Sequence, residues 1–485
     1  MQNSRSLLSA ATLALTATML PLAHGASPWT LHETARDNGH LLAPLAAPTA
    51  TLTTAIAARI AAPADADALV LDPAQRFQAM IGFGGALTES SAWVLAQLPP
   101  ERRLEVIRRY YDPKDGIGYT LARTHLNSSD FSVNMWALDE VSGDYDLHHF
   151  TLEPMRRWLM PLLQDARRAA GGDANFKLLV SPWSPPAWMK TNNRMDDGGS
   201  LRDVHAPVWA NYFVRFAQAM QQEENFPIWA FSVQNEPEAH QTWESCLYTP
   251  AQERDFVKKH LGPALARAGL SNKIKLIGWD HNRDKIEDRA AALLSDPESA
   301  KYFWGLGVHW YVSDDFAASA RVHAAFPDKP ILFTEGCNEG GDRIGAWEHG
   351  EHYATQMIGD FKHWVAGFFD WNIVLDQRGG PNHVGNFCDA PVIVDTTTKE
   401  VRYSAAFYYI AHFSKFVLPG AHRIASSAGP AGLESIAFVN PDGSLVTVVV
   451  NPTDAAVSFP LSASGETLAC TIPAHAIQTY VRPAK

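Results

Sequence analysis

Residues 208–240 read VWANYFVRFAQAMQQEENFPIWAFSVQNEPEAH. The first half is an amphipathic stretch of helical character. The second half is an apolar run, Trp229–Val233, that reads as a buried strand and ends in Asn235-Glu236-Pro237. A hydrophobic strand running straight into a carboxylate pinned by a proline needs a second acidic partner to explain it. The same alternation extends outward in both directions. Strand-like runs occur at Met80–Phe83, Leu121–His125, Lys177–Ser181, Ile274–Trp279, Gly307–Trp310, Ile331–Thr334 and Gly367–Trp371. Between them lie helical stretches such as PPERRLEVIRRYY (99–111) and PAQERDFVKKHLGPALARAG (250–269). The first opens on Pro99-Pro100, with Leu104, Val106, Ile107 and Tyr110 near helical spacing. Eight strands alternating with helices predict an α/β fold, a (β/α)8 TIM barrel over residues 77–411. A doubly wound open sheet is the rival reading.

The tail changes period. SIAFVNPDGSLVTVVVN places two alternating runs around Pro441-Asp442-Gly443, a hairpin signal, and Val457–Leu461 and Ala476–Val481 add further strands. Residues 412–485 therefore read as an accessory antiparallel β-sandwich. The segment 26–76 is expected to contribute strands to it, because a sandwich needs partners for its edges.

Of 485 residues, 46% are hydrophobic and 19% charged, enough for a large core and too apolar for extended disorder. The formal net charge of −12 and the absence of basic runs argue against nucleic acid or an anionic membrane surface as partner. The 15 tryptophans are unusual; most are expected in the core, but flat aromatic faces also stack on the C–H faces of sugars. Arg5, the apolar run Leu7–Leu22 and the small-x-small site Ala23-His24-Gly25 have the pattern of a secretory signal peptide, residues 1–25. The expected location is exported, periplasmic or secreted. Export permits disulfides, but Cys246, Cys337, Cys388 and Cys470 form no Cys-x-x-Cys motif, and their spacing leaves pairing open.

Barrel enzymes carry their chemistry at the C-terminal ends of strands. After the first run comes Gly82-Phe83-Gly84-Gly85-Ala86, which lacks the spacing of a dinucleotide fingerprint and reads as a tight turn. Asp130, Trp183, Glu236, Tyr311, Glu335 and Asp370 follow or close others. Glu236 and Glu335, ending the fourth and seventh strands, are placed to converge across the barrel mouth. Two carboxylates about 5–5.5 Å apart around a glycosidic bond support displacement through a covalent sugar intermediate. One must be ionised to attack the anomeric carbon. The other must hold a proton for the leaving oxygen, and mutual repulsion separates their affinities.

The motifs GFGGALTESSA (82–92), GIGYTLARTHLNSSDFS (116–132), SPWSPPAWMKTN (181–192), FSVQNEPEA (231–239), GVHWY (307–311), ILFTEGC (331–337), DWNIVLD (370–376), GGPNHVGNFCDAPVIVD (379–395) and HFSKFVLPG (412–420) resemble those of the glucosylceramidase-type, glucocerebrosidase-like glycoside hydrolases of family 30. The resemblance runs from about Phe77 to the C-terminus. It implies retaining hydrolysis of a terminal β-glucosyl unit without a cofactor, on a glycolipid, glucoside or oligosaccharide substrate. Endo-β-1,6-glucanase and β-xylosidase activity are alternatives with the same chemistry, and a silent carbohydrate-binding protein is a non-enzymatic one. By position, the resemblance makes Glu236 the acid/base and Glu335 the nucleophile. It gives Asn235 the sugar 2-hydroxyl, and Asp130 and Trp183 the distal hydroxyls. Trp371 and Asn386 complete the sugar pocket, and Tyr311 and Arg123 serve the nucleophile. Arg123 and Asp370 have a second reading, a buried ion pair steadying the barrel. At the rim, the loop after Glu335 is shorter than in the lysosomal members, and the loop after Glu236 carries Trp243, a candidate aglycone-side residue. No metal is assigned. His309 reads as an orienting hydrogen-bond partner, His148-His149 as a surface pair, and Asp196-Asp197-Gly198-Gly199 as a turn.

Overall fold

A computed structural model of the chain describes residues 29–52 and 67–484. The expected signal peptide and part of the N-terminal segment lie outside the described residues. In chain order, β1 (Thr30–Ala35), β2 (His40–Leu45), β3 (Thr51–Leu52) and β4 (Leu69–Ala79) precede the barrel. The barrel strands are β5 (Gly82–Ala86), β6 (Leu121–Leu126), β7 (Lys177–Pro182), β8 (Ala230–Ser232), β9 (Lys275–Asn282), β10 (Phe303–His309), β11 (Ile331–Glu335) and β12 (Val365–Asp370). They pair in parallel in that order, and β12 closes on β5. A short sheet of β13 (Val374–Asp376), β14 (Val392–Val394) and β15 (Val401–Tyr403) follows. The sandwich strands are β16 (His422–Ser426), β17 (Glu434–Val439), β18 (Leu445–Asn451), β19 (Val457–Ala463), β20 (Glu466–Ile472) and β21 (Ala476–Arg482).

The barrel interior is plugged by Leu121, Leu179, Ala230, Ile277, Leu332 and Phe369, one from each of six strands. This is a packed core, so any ligand must be met above it, at the strands' C-terminal ends. The glycine run Gly82–Ala86 corrects the sequence expectation. It is the first barrel strand itself rather than a turn after it. The reason is close approach: a Cβ on Gly84 would collide with the Leu121 carbonyl of β6, and one on Gly85 would stand 2.6 Å from Ile373 Cγ2. Elsewhere the periodicity holds. Pro100–Tyr111 is a helix with proline in its first turn, burying Val106, Ile107, Tyr110 and Tyr111.

The accessory sheet runs β2-β1-β21-β18-β17-β16-β4-β19-β20-β3, so strands from both ends of the chain interleave. Its two halves enclose one core of Leu31, Leu71, Val439, Phe459, Leu468 and Tyr480. The opposite face, with Phe438, Val446, Val448 and Ile477, joins the barrel's own core. The helix Ala405–Ser414 runs across residue 412, and the next strand begins only at His422. His412 in that helix bridges Thr479 (2.8 Å) and Thr34 (3.0 Å), tying the barrel to both terminal segments.

Candidate active site

Two irregularities in the sheet place the acidic groups. The pairing of β10 with β9 steps from Gly307↔Trp279 to Val308↔His281, leaving Asp280 as the extra residue of a bulge. Trp279 and Asp280 both have left-handed backbone there, φ 69° and 54°. A second bulge steps the pairing of β10 with β11 from Val308↔Phe333 to His309↔Glu335. Bulges re-aim side chains. Here they bring Asp280, His309 and Glu335 into one layer at the mouth. Glu236 reaches the same layer from the turn after β8. Its φ is 47°, and its N–H donates to the Asp280 carbonyl at 3.0 Å, with Pro237 behind it. Backbone held in a sparsely populated region is a recurring property of functional sites.

The layer is one connected network. Arg123 Nη1 donates to Glu335 Oε2 at 2.5 Å, and Nη2 donates to Asn235 Oδ1 (2.8 Å) and Asp280 Oδ2 (2.9 Å). Arg123 Nε donates to Ser181 Oγ at 3.1 Å. The guanidinium lies 5.0 Å from the Trp183 ring and 5.5 Å from the Trp371 ring, which stack on each other at 5.1 Å. Tyr311 donates its hydroxyl to Glu335 Oε1 at 3.0 Å. Burial raises the Tyr311 phenol well above its ordinary value, so it stays a donor. His309 sits between the acids. Its Nδ1 is 3.1 Å from Glu236 Oε1 and 3.9 Å from Glu335 Oε1, and its Nε2 is 3.1 Å from Asp280 Oδ1. The first two distances cap the gap between those glutamate oxygens at about 7 Å.

Burial opposes a charge on His309, but the Glu335, Asp280 and Glu236 carboxylates outweigh it and push the imidazole up to about 9. Burial likewise opposes ionisation of Asp280. Arg123 and His309 overcome it and hold Asp280 well below the usual carboxylate range. The two glutamates are tightly coupled. Burial raises Glu335, reinforced by the Glu236 charge and resisted by His309 and Arg123. At Glu236 burial is outweighed by the His309 bond and the charges of His281 and His309, which lower it. The two acids therefore titrate as a coupled pair rather than singly. Which of them favours the proton turns on His309. A cationic imidazole favours ionised Glu236. A neutral one leaves Glu236 without its main counter-charge, while Glu335 keeps Arg123.

Above this layer is a cavity of about 230 Å³. Asp130, Trp183, Asn235, Glu236, Trp243, Tyr311, Glu335, Trp371 and Asn386 all line it. The volume is below the roughly 300–1,000 Å³ of drug-sized ligand pockets, which suits one small ring in the enclosed part. Asp130 forms the far wall. Its Oδ2 accepts from Asn382 (3.2 Å) and Asn386 (3.4 Å), and its buried Oδ1 has no partner. Burial, then the charges of Glu335 and Glu244, push its carboxyl up to about 8. Cys337 and Cys388 also line the cavity, and all four cysteines are free thiols.

One expectation fails. Arg123 and Asp370 form no ion pair. Arg123 pairs with Asp280 and Glu335, whereas Asp370 accepts from the Tyr353 hydroxyl and lies outside the cavity lining. Burial raises its carboxyl well above the usual range, as suits a group with no cation beside it. Asp280, His281 and Asn282 carry no motif. Their sequence signal is position, immediately after the fifth apolar run.

Two carboxylates converging at the mouth of a parallel barrel, beside stacked tryptophans and a ring-sized cavity, define a glycoside hydrolase. Residues 80–417 match the glycosyl hydrolase family 30 TIM-barrel domain and residues 420–480 the family 30 beta sandwich domain, so the chain belongs to glycoside hydrolase family 30. The chain is 36% identical to lysosomal acid glucosylceramidase of Mus musculus, over 85% of this chain and 83% of that protein. It is 30% identical to the endo-1,6-beta-D-glucanase of Neurospora crassa, over 85% and 87%. The crystal structure of SrfJ from Salmonella typhimurium superposes with a TM-score of 0.88 at 32% identity, covering 94% of this chain and all of the other.

Proposed function

We propose that the protein is an exported retaining glycosidase that releases a terminal β-glucosyl unit by double displacement. The observation that carries this reading is His309 held by hydrogen bond to Glu236 and 3.9 Å from Glu335, with Arg123 fixed on the latter. The step needs the proton on Glu236, the state that a neutral His309 favours: Glu335 Oε attacks the anomeric carbon while Glu236 gives that proton to the glycosidic oxygen, and the alcohol leaves. Attack consumes the charge on Glu335. Glu236, now a carboxylate unopposed by a second charge, takes a proton from water, whose oxygen attacks the same carbon and frees Glu335. Arg123 uses the Asn235 carbonyl oxygen, which leaves the amide N–H₂ for the sugar 2-hydroxyl. Asp130, Asn386, Trp183 and Trp371 hold the ring from the distal side, and Trp243 meets the aglycone.

Azide decides the roles. In Glu236→Gln it should rescue hydrolysis of an activated aryl glucoside and yield a β-glycosyl azide; an α product would remove the assignment. A panel of glucosylceramide, gentiobiose, β-1,6-glucan and aryl β-xyloside decides the substrate. The likeness to the Neurospora glucanase favours endo-β-1,6-glucanase action as the second reading. Xylose lacks the hydroxymethyl arm of glucose, so activity on xylosides but not glucosides would move the assignment. Export rests on the pattern of residues 5–25 and is tested by fractionating the native host.

A further inference from the structure

We propose that Glu236, His281 and His309 form a binding site for a borderline-soft divalent cation such as zinc, whose occupation blocks hydrolysis. Their ligand atoms all lie within 4.8 Å of one another. Glu236 Oε1 is 3.1 Å from His309 Nδ1 and 3.6 Å from His281 Nδ1. Tetrahedral zinc with bonds of roughly 2.0–2.1 Å sets its donors about 3.3–3.5 Å apart, so small side-chain movements suffice. His281 Nδ1 is a buried atom with no hydrogen-bond partner. It is aimed at Glu236 and neither gives nor takes a proton in the proposed double displacement.

A further feature points the same way. Asp280 holds the other nitrogen of His309 at 3.1 Å. A carboxylate behind a ligating histidine fixes its tautomer and strengthens its donation in known zinc sites, and losing it typically costs 10–100-fold in metal affinity. The set of two imidazoles and one carboxylate with an open fourth position suits zinc or cobalt rather than magnesium or calcium, which prefer oxygen. Glu236 follows β8, while His281 and His309 lie at the C-terminal ends of β9 and β10, so no sequence motif announces them.

Binding stands on this geometry; its inhibitory consequence rests on the acid/base role of Glu236. The test is titration of the whole protein with Co²⁺, read by its visible absorption, followed by displacement with Zn²⁺. One equivalent in a low-symmetry, four- or five-coordinate site is expected. His281→Asn and Glu236→Gln should each weaken it at least tenfold, and magnesium should not compete. No uptake, or uptake unchanged in His281→Asn, overturns the site. In parallel, Zn²⁺ should inhibit hydrolysis competitively and a chelator should restore it. Uptake that depends on His281 but leaves turnover untouched keeps the metal site and refutes the acid/base role of Glu236.

Discussion

Asp130→Asn isolates one titration. The substitution keeps shape and removes the ionisable group. Asp130 is 3% exposed, and its carboxyl is raised from 3.8 to about 8, first by burial and then by the charges of Glu335 and Glu244. The folded chain therefore keeps a proton that the unfolded chain releases near pH 4. Between those values the native state binds more protons, so wild-type stability falls as pH rises. The favourable contribution is complete below about pH 4 and gone above about pH 8. Each unit is worth about 1.4 kcal/mol, so the full span is on the order of 5 kcal/mol, and the step from pH 5 to pH 7 about 3 kcal/mol. The amide variant lacks this slope. Urea unfolding of wild type and variant at pH 5, 7 and 9 gives the difference curve, with unchanged m-values confirming a common transition. The variant should gain on wild type steadily up to about pH 8 and then hold a constant lead. A flat difference between pH 5 and 9 would show that Asp130 is ionised throughout, and that the unpartnered Oδ1 is hydrated rather than protonated.

Three other perturbations address separate parts of the molecule. Arg123→Met strands Glu335 and Asp280 without their permanent cation and should cost about 3–5 kcal/mol, read by urea unfolding at pH 7; adding Asp280→Asn should recover part of it. Tyr311→Phe removes a hydrogen bond to a carboxylate, worth about 1.5–3 kcal/mol, and should lower kcat/KM on the best substrate of the panel by about 10–100-fold while leaving the unfolding midpoint near wild type. Phe438→Ala empties a site where the accessory sheet meets Phe361 of the barrel; it should cost about 3–5 kcal/mol, and calorimetry should show whether barrel and sandwich still unfold together.

Much of this is legible in sequence because the signal is local. An apolar run that stops at a charged residue is a strand end, and Glu236 and Glu335 follow from that rule and from the barrel's parallel order. What stays hidden depends on register. Asp280 enters the network because one bulge shifts β9 against β10, and a one-residue slip is invisible to period-2 patterning. The same blindness hides the true partner of Arg123. Asp370 closes a strand as Glu335 does, but Tyr353 claims it, and nothing in the order of residues ranks the two acids. The glycine run misleads for a related reason. Glycine marks either a turn or a close approach, and only the position of the Leu121 carbonyl decides which.

The hydrogen-bonded network also explains how so buried a site could tolerate the proposed chemistry. Arg123 and Asp280 offset each other. That leaves His309 and the two glutamates. In the first half-reaction of the proposed displacement Glu335 would lose its negative charge to the sugar ester just as Glu236 acquires one by giving up its proton. The total charge of the cluster does not change; it moves from one side of His309 to the other. His309 touches both ends of that movement, 3.1 Å from Glu236 and 3.9 Å from Glu335, and is held by Asp280 throughout. Charge that shifts between two carboxylates on either side of a fixed imidazole needs little reorganisation, which is the condition for electrostatic catalysis in a low-dielectric site. Asp280, the residue without a motif, is what keeps that imidazole in place.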